Sequence, residues 1–225
     1  MEDEILNVLR KIKLPKDNRR GVRRDATDPK LGMCLGIVDD YFHGYRASVN
    51  TRRFKELSSL LCRYAREKHP GFKFCCVQVN QGSSALHVDT ADMGSELIMS
   101  LGAHTGGELY QYPRDVLDIK GRLVECKGLL PHMTLPFEGE RYSVVYFQLN
   151  PKKKQPPPPE HQQLLEECGF YPLPTERVAD RPRIDLLPEA ASILEHEFGL
   201  SRQQIGDWTN ESIPLSLRKG LARVD

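Results

Sequence analysis

His87 and Asp89 stand two residues apart in the stretch SSALHVDTADMG, residues 83–94, after a run with the texture of a half-buried strand. Side chains alternate along a strand, so this spacing puts an imidazole and a carboxylate on the same face. His132 follows 43 residues later, beyond four candidate strands, and a later barrel strand would bring it back beside the pair. Two histidines and one carboxylate on one side of a metal leave the opposite positions open, as non-haem Fe(II) oxygen chemistry requires. A structural zinc site would instead be closed. The His-x-Asp step alone is weak, because with seven histidines in 225 residues it arises by composition about as readily as by design. A surface strand pair is the plain alternative.

Nine residues past His132, RYSVVYF places Arg141 and Ser143 on one strand face by the same rule. A guanidinium turned into a barrel needs an anion, and a small dicarboxylate offers it a bidentate partner, with the Ser143 hydroxyl on the same carboxylate. Asn80, at the end of the run FKFCCVQVN, is a further pocket candidate, with a turn role as its alternative. Tyr110 alternates with Leu109 and Gln111 and is a candidate hydroxyl donor to a bound co-substrate; the competing reading is a buried core tyrosine. Gly106 and Gly107 suit a tight turn or bulge. His104 has no assigned role, and His43, His69, His161 and His196 have no ligand spacing to one another.

The elements that must position these residues are legible in outline. Ile5, Leu6, Leu9 and Ile12 have helical spacing behind an acidic first turn, which predicts a short helix over 3–12. RRFKELSSLLCRYAREKH carries a longer amphipathic stripe from Phe54 to Ala65 and ends before the proline of HPG. From Phe72 to Leu149 short runs separated by glycine-marked turns predict strands of a barrel or sandwich: FKFCCVQVN, SALHV, SELIMSLG, GELYQY, GRLVECKG and YSVVYFQL. After Asn150, PKKKQPPPPEH reads as a stiff polyproline segment. EHQQLLEECGF and LPEAASILEHEFGLSRQQI then read as helices stopping at Gly169 and near Gly199, and Trp208 as an anchor of this tail. The expected organisation is an α+β chain: a basic N-terminal helix and arm (1–30), a jelly-roll domain backed by the N-terminal helices (31–150), a Lys/Pro-rich linker (151–160) and a helical C-terminal extension (161–225).

Composition narrows the setting. A hydrophobic share of 39% with 28% charged residues is that of a soluble globular protein, and no window approaches the length of a membrane span. The start, MEDEILNVLRKI, lacks the features of a signal or transit peptide. Six cysteines without a CxxC pair suit reduced core thiols, and with the missing leader they predict an intracellular setting, cytoplasmic or nuclear. Net charge is only +1, so no global field draws the chain to nucleic acid. Residues 10–24 nevertheless carry eight basic side chains against one acid, a candidate arm for DNA or RNA phosphates whose alternative is a solvated tail. The proline segment is a candidate ligand for a protein partner.

The order H-x-D, then HTGGELY, then LLPHMTLPFEGERYSVVYF resembles the double-stranded β-helix (cupin-like jelly roll) core of the 2-oxoglutarate/Fe(II)-dependent dioxygenases. Within that superfamily it is most similar to the TET/JBP-like, nucleic-acid-modifying branch and its viral and protist relatives. The resemblance covers residues 31–149. It implies that His87, Asp89 and His132 hold Fe(II) and that Arg141, helped by Ser143, anchors the distal carboxylate of 2-oxoglutarate. It further implies O2 as co-substrate, with ascorbate as reductant or replacement co-substrate in one branch, and hydroxylation of a C–H bond on a methylpyrimidine-type nucleobase. His104 and Thr90 depart from the pattern and bear on substrate choice. Two alternatives stay open: a prolyl or lysyl side-chain hydroxylase, and a catalytically silent jelly-roll binding module.

Overall fold

The computed structural model describes residues 1–16 and 31–206, so most of the basic arm and Trp208 lie outside the described residues. Helix α1 (Glu2–Lys11) has Glu2, Asp3 and Glu4 in its first turn and Arg10 and Lys11 in its last, each charge opposing the nearer end of the helix dipole. It buries Ile5 and Leu9. The long amphipathic stripe forms α3 (Lys55–Lys68), preceded by a short helix α2 (Val49–Arg53) from which Phe54, with φ of −120° and ψ of 48°, separates it. The Tyr64 hydroxyl donates to Glu2 at 3.0 Å and ties α3 to α1.

The strands are β1 (Leu31–Asp40), β2 (Gly44–Ala47), β3 (Cys76–Gln81), β4 (Ser95–Leu101), β5 (His104–Gly106), β6 (Leu109–Gln111), β7 (Asp115–Leu117), β8 (Val124–Lys127), β9 (His132–Thr134), β10 (Phe137–Gly139) and β11 (Tyr142–Phe147). Six of them make one antiparallel sheet in the order β2-β1-β3-β11-β4-β8. A smaller sheet runs β7-β6-β9, and β5 pairs with β10. The larger sheet turns Val77, Val79, Leu97, Met99, Val144 and Tyr146 toward the helices, where they form the main core with Ile5, Leu9, Leu61 and Tyr64. Its other face meets the smaller sheet through Ile98, Leu109, Ile119 and Cys126. Each fully buried aliphatic side chain in these clusters contributes about 1.5–3 kcal/mol.

Several expectations change at this level. SALHV is not a strand; it meets β9 through an isolated antiparallel bridge, His87 to His132, and through hydrogen bonds between Ser84 and Thr134. The hairpin of β1 and β2 precedes the block of expected strands and supplies one side of the large sheet, its Gly and Asp residues having hidden the alternation. The segment 151–160 is not a free spacer. Tyr45 donates its backbone N–H to Gln155 at 3.0 Å, Lys152 and Lys154 pair with Asp39, and Pro157 is buried. Beyond it, α4 (Pro159–Cys168) ends at Gly169, which takes the left-handed φ of 92°. It packs on the helical layer through Leu165 and Cys168. Helices α5 (Leu187–His196) and α6 (Arg202–Ile205) cover the outer face of the smaller sheet, burying Leu86, Tyr110 and Met133 against Ala190, Leu194 and Ile205. Among the described residues no helix is long and apolar enough to cross a membrane.

Candidate metal centre

The bridge that replaces the expected strand is what assembles the site. His87 and His132 exchange backbone hydrogen bonds, His87 N–H to His132 O at 3.0 Å and His132 N–H to His87 O at 2.9 Å. Their rings then lie 4.3 Å apart on one side of the chain. Asp89, one step along, is held by its own N–H donating to Gly128 O at 2.9 Å. Its Oδ1 lies 3.8 Å from His87 Nε2 and its Oδ2 3.5 Å from His132 Nε2. One ligand atom from each of the three side chains falls within 4.8 Å of the others.

The tautomers are set by the backbone. His87 Nδ1–H donates to Ala85 O at 2.7 Å and His132 Nδ1–H to Leu130 O at 2.8 Å, in each case a carbonyl two residues earlier. Nε2 is therefore the unprotonated nitrogen of each ring and is turned toward Asp89, with the ring planes fixed by these outer contacts. Two imidazole nitrogens and a carboxylate oxygen form the donor set of an open Fe(II) site, and the residues present fit that ion.

A cavity of about 360 Å³ adjoins the three side chains and lies between the two sheets. Asn80 and Ser143 line it, and Asn80 Nδ2 donates to Ser143 Oγ at 3.3 Å, its own Oδ1 accepting from Gln78 Nε2 at 3.0 Å. The register explains the pairing, since Ser143 sits between Asn80 on β3 and Ser100 on β4. Paired residues of an antiparallel sheet face the same side.

Arg141 is one inward-facing position beyond Ser143 and only 2% exposed. It donates from Nη1 to Gly82 O at 3.1 Å and from Nη2 to Gly107 O at 3.0 Å, and it lies over the Phe137 ring. Its Nε–H has no partner among the described residues. Burial pushes its pKa down to about 10, with Glu108 the acid that opposes the shift. Gly107 is glycine for a stated reason: a Cβ there would lie 2.8 Å from Arg141 Nε.

Tyr110 is a correction. Period-two alternation on β6 turns Leu109 toward the cavity, so Tyr110 faces outward. Its hydroxyl donates to Pro113 O at 2.9 Å, and its ring packs edge-on against Phe198 at 5.5 Å. Burial raises its pKa to about 12. It is a core tyrosine under α5 and touches no co-substrate space.

Glu96 and Asp92 were not singled out from the sequence, yet both line the cavity and cluster with Asp89. Glu96 is 2% exposed. Burial, then the Asp89 and Asp92 carboxylates, push its pKa well above the carboxylate range. The available signal was its phase: Glu96, Ile98 and Ser100 alternate with the helix-facing Leu97 and Met99. Gly128 makes room for it, because a Cβ there would lie 1.7 Å from Glu96 Oε1.

No protein-family model matches the chain, and no curated protein matches it in sequence. Solved structures similar to it include a 2OG-Fe(II) oxygenase family oxidoreductase from Burkholderia pseudomallei, 19% identical. That match covers 64% of this chain and 76% of the other, with a TM-score of 0.48. NgTET1 in complex with 5mC DNA is 16% identical over 56% of this chain and 63% of its own, with a TM-score of 0.42. The Escherichia coli ribosomal oxygenase YcfD, in complex with cobalt and 2-oxoglutarate, is 14% identical over 83% of this chain and 48% of its own, with a TM-score of 0.32.

Proposed function

We propose that this protein is an Fe(II)- and 2-oxoglutarate-dependent oxygenase whose two facing antiparallel sheets are a double-stranded β-helix. The observation that carries the reading is the pair of histidines whose Nδ1 atoms are committed to backbone carbonyls while both Nε2 atoms converge on Asp89. A silent binding module has no use for two imidazoles held in that tautomer around one carboxylate. His87, Asp89 and His132 would hold the iron. Bound there with 2-oxoglutarate and O2, iron supplies the oxidation of a substrate C–H bond as the co-substrate is converted to succinate and CO2. Ascorbate is the alternative electron source for the same site.

The chain's own residues do the rest. Arg141 and Ser143 would fix the far carboxylate of the co-substrate, the guanidinium gaining in that contact the counter-charge that the free protein denies it. Asn80 orients the Ser143 hydroxyl. Ile98, Leu109 and Val145 line the cavity between the metal and the anchor and limit the water that reaches the reacting atoms.

The substrate in this reading is a nucleobase, of methylpyrimidine type, in DNA or RNA. Such a base is reached in a single strand or by flipping it from a duplex. Its support is the TET/JBP-like motif order together with the basic stretch 10–24, of which Lys11, Lys13 and Lys16 are exposed in the described part. Arg10 is already spent, its guanidinium donating to Glu140 at 2.6 Å and 2.9 Å. A net charge of only +1 keeps a second reading in play, hydroxylation of a prolyl or lysyl side chain.

Both readings are tested by mass spectrometry of oligonucleotides and peptides incubated with Fe(II), 2-oxoglutarate and the protein. The expected result is a gain of one oxygen on the nucleic acid with matching succinate, both lost in His132→Ala. Undiminished turnover in that variant would sink the site assignment, and oxidation of peptides alone would move the substrate to protein.

A further inference from the structure

The tip of the β1–β2 hairpin carries the two most exposed large apolar side chains among the described residues, Tyr41 at 86% and Phe42 at 84%. Their rings meet edge to face at 5.1 Å, and at this exposure each still offers a face to solvent. The turn that presents them is held, because Asp40 Oδ1 accepts from the backbone N–H groups of Phe42 and His43, each at 2.9 Å. Neither ring packs into a core cluster, so the apolar gain from covering them is open to a partner.

A groove of about 530 Å³ adjoins the pair, lined by Tyr41, Phe42, His43, Arg46, Lys154 and Pro158, and none of its lining residues is acidic. Around it, Lys152 and Lys154 share the single carboxylate of Asp39, and His43 pairs with Asp40 at 3.0 Å. Arg46, Arg52 and Lys153 have no ion pair among the described residues. The tip is therefore a cationic surface with two uncovered aromatic rings.

The same lysines lead from the tip to the metal cavity. Thr90 and Ala91 line that cavity and are exposed, which places its rim there. Ala91 O accepts from Asn150 N–H at 2.8 Å. Two residues on, Lys152 N–H donates to the Tyr45 hydroxyl at 2.7 Å. Residues 150–154 thus run from the rim onto the hairpin, a path of at most about 14 Å at roughly 3.5 Å per residue.

We propose that the hairpin tip and residues 152–154 form a docking surface for single-stranded nucleic acid that leads a strand to the rim of the metal cavity. Unpaired bases stack on Tyr41 and Phe42, and phosphates pass Arg46 and the lysines. A duplex keeps its base faces on one another and gives these rings nothing to cover. A neutral apolar partner would cover the rings and leave Arg46 and Lys154 without an anion, whereas a single strand supplies a flat face and a phosphate at every step. The surface deepens the nucleobase reading, on which its link to the metal rests; binding itself needs neither iron nor co-substrate. It lies away from the basic stretch 10–24, whose Arg10 pairs with Glu140 and whose Lys16 bridges Leu31, at the opposite ends of β11 and β1.

Fluorescence anisotropy of a labelled oligothymidine of about twelve nucleotides, titrated with the full chain in the absence of iron, reads the surface. Tyr41→Ala and Phe42→Ala are each expected to weaken its binding about tenfold, leaving Tm and the binding of a blunt duplex unchanged. Phe42→Trp retains the affinity and adds a fluorescence quench on binding that the wild type lacks. Arg46→Gln lowers the slope of log affinity against log salt by about 0.7. Absent oligothymidine binding, equal affinity in both ring variants, or an equal loss on duplex and single strand overturns the surface. Ring-dependent capture by anionic phospholipid vesicles without oligonucleotide binding also overturns it and assigns the tip to a membrane. Ring-dependent oligonucleotide binding by a protein that oxidises no nucleic acid leaves the surface standing and fells the nucleobase reading. Oxidation of the oligonucleotide with an unchanged KM in both ring variants does the reverse.

Discussion

Replacing Arg141 by Met should leave the free protein at least as stable as wild type while removing its response to a dicarboxylate. The guanidinium is buried to 2% exposure with no carboxylate paired to it among the described residues, and burial pushes its pKa down to about 10. At roughly 1.4 kcal/mol per pH unit, that fall corresponds to about 3 kcal/mol by which folding disfavours the charged form. The charge is present in both states at neutral pH. The penalty is therefore constant below the folded pKa and is relieved only as pH rises above about 10, where the unfolded chain binds more protons. Met keeps much of the stem's packing and removes the charge, but it leaves Gly82 O and Gly107 O without their donors, at about 1 kcal/mol each. The net expectation is a gain of about 1 kcal/mol in urea unfolding, constant between roughly pH 6 and 9. A thermal shift induced by succinate should disappear. A loss of more than about 2 kcal/mol would show that Arg141 holds the fold through its two carbonyl contacts, and would refute the view that its charge is kept for a ligand.

Two further outcomes follow from packing. Gly128→Ala drives a methyl group into Glu96, whose Oε1 would lie 1.7 Å from it. Urea unfolding should report a loss of about 1–3 kcal/mol, and Mn(II) affinity should fall because Glu96 clusters with Asp89; wild-type values for both would contradict the crowding. Of six cysteines only Cys34 is not fully buried, and it lines the metal cavity. A thiol reagent should therefore label one site quickly in the native protein, more slowly once Mn(II) and succinate are bound, and rapid labelling of two or more would show the core to be more open than this.

The strand period explains both what was legible in the sequence and what was not. It fits Ser143, which lines the cavity between the apolar helix-facing positions Tyr142 and Val144 of β11, a regular strand flanked on both sides. The same rule has no phase on β6, where Leu109, Tyr110 and Gln111 are all buried, and there the expected pocket tyrosine turned outward. His87 and Asp89 come together although their segment is not a strand, since one hydrogen-bonded bridge to β9 is enough to aim them. Glu96 escaped notice because a lone glutamate between apolar residues reads as a solvated position until Gly128, 32 residues later in the chain, is seen to leave room for it.

The placement of these groups also explains why the site uses both sheets. His132 comes from the smaller sheet and His87 and Asp89 from the segment bridged to it, whereas Ser143, Asn80 and Ser100 form one row across β11, β3 and β4 of the larger. The span from metal to anchor is therefore set by the packing between the sheets, through Ile98, Leu109 and Val145, and not by the length of any loop. Arg141 couples the two layers directly, since it rises from the large sheet and donates to Gly107 O between β5 and β6. A ligand that neutralised Arg141 would pull on both sheets at once. In the proposed function, the bond that holds Arg141 would then also set its distance from the metal, and a rigid core could measure the length of a dicarboxylate in this way.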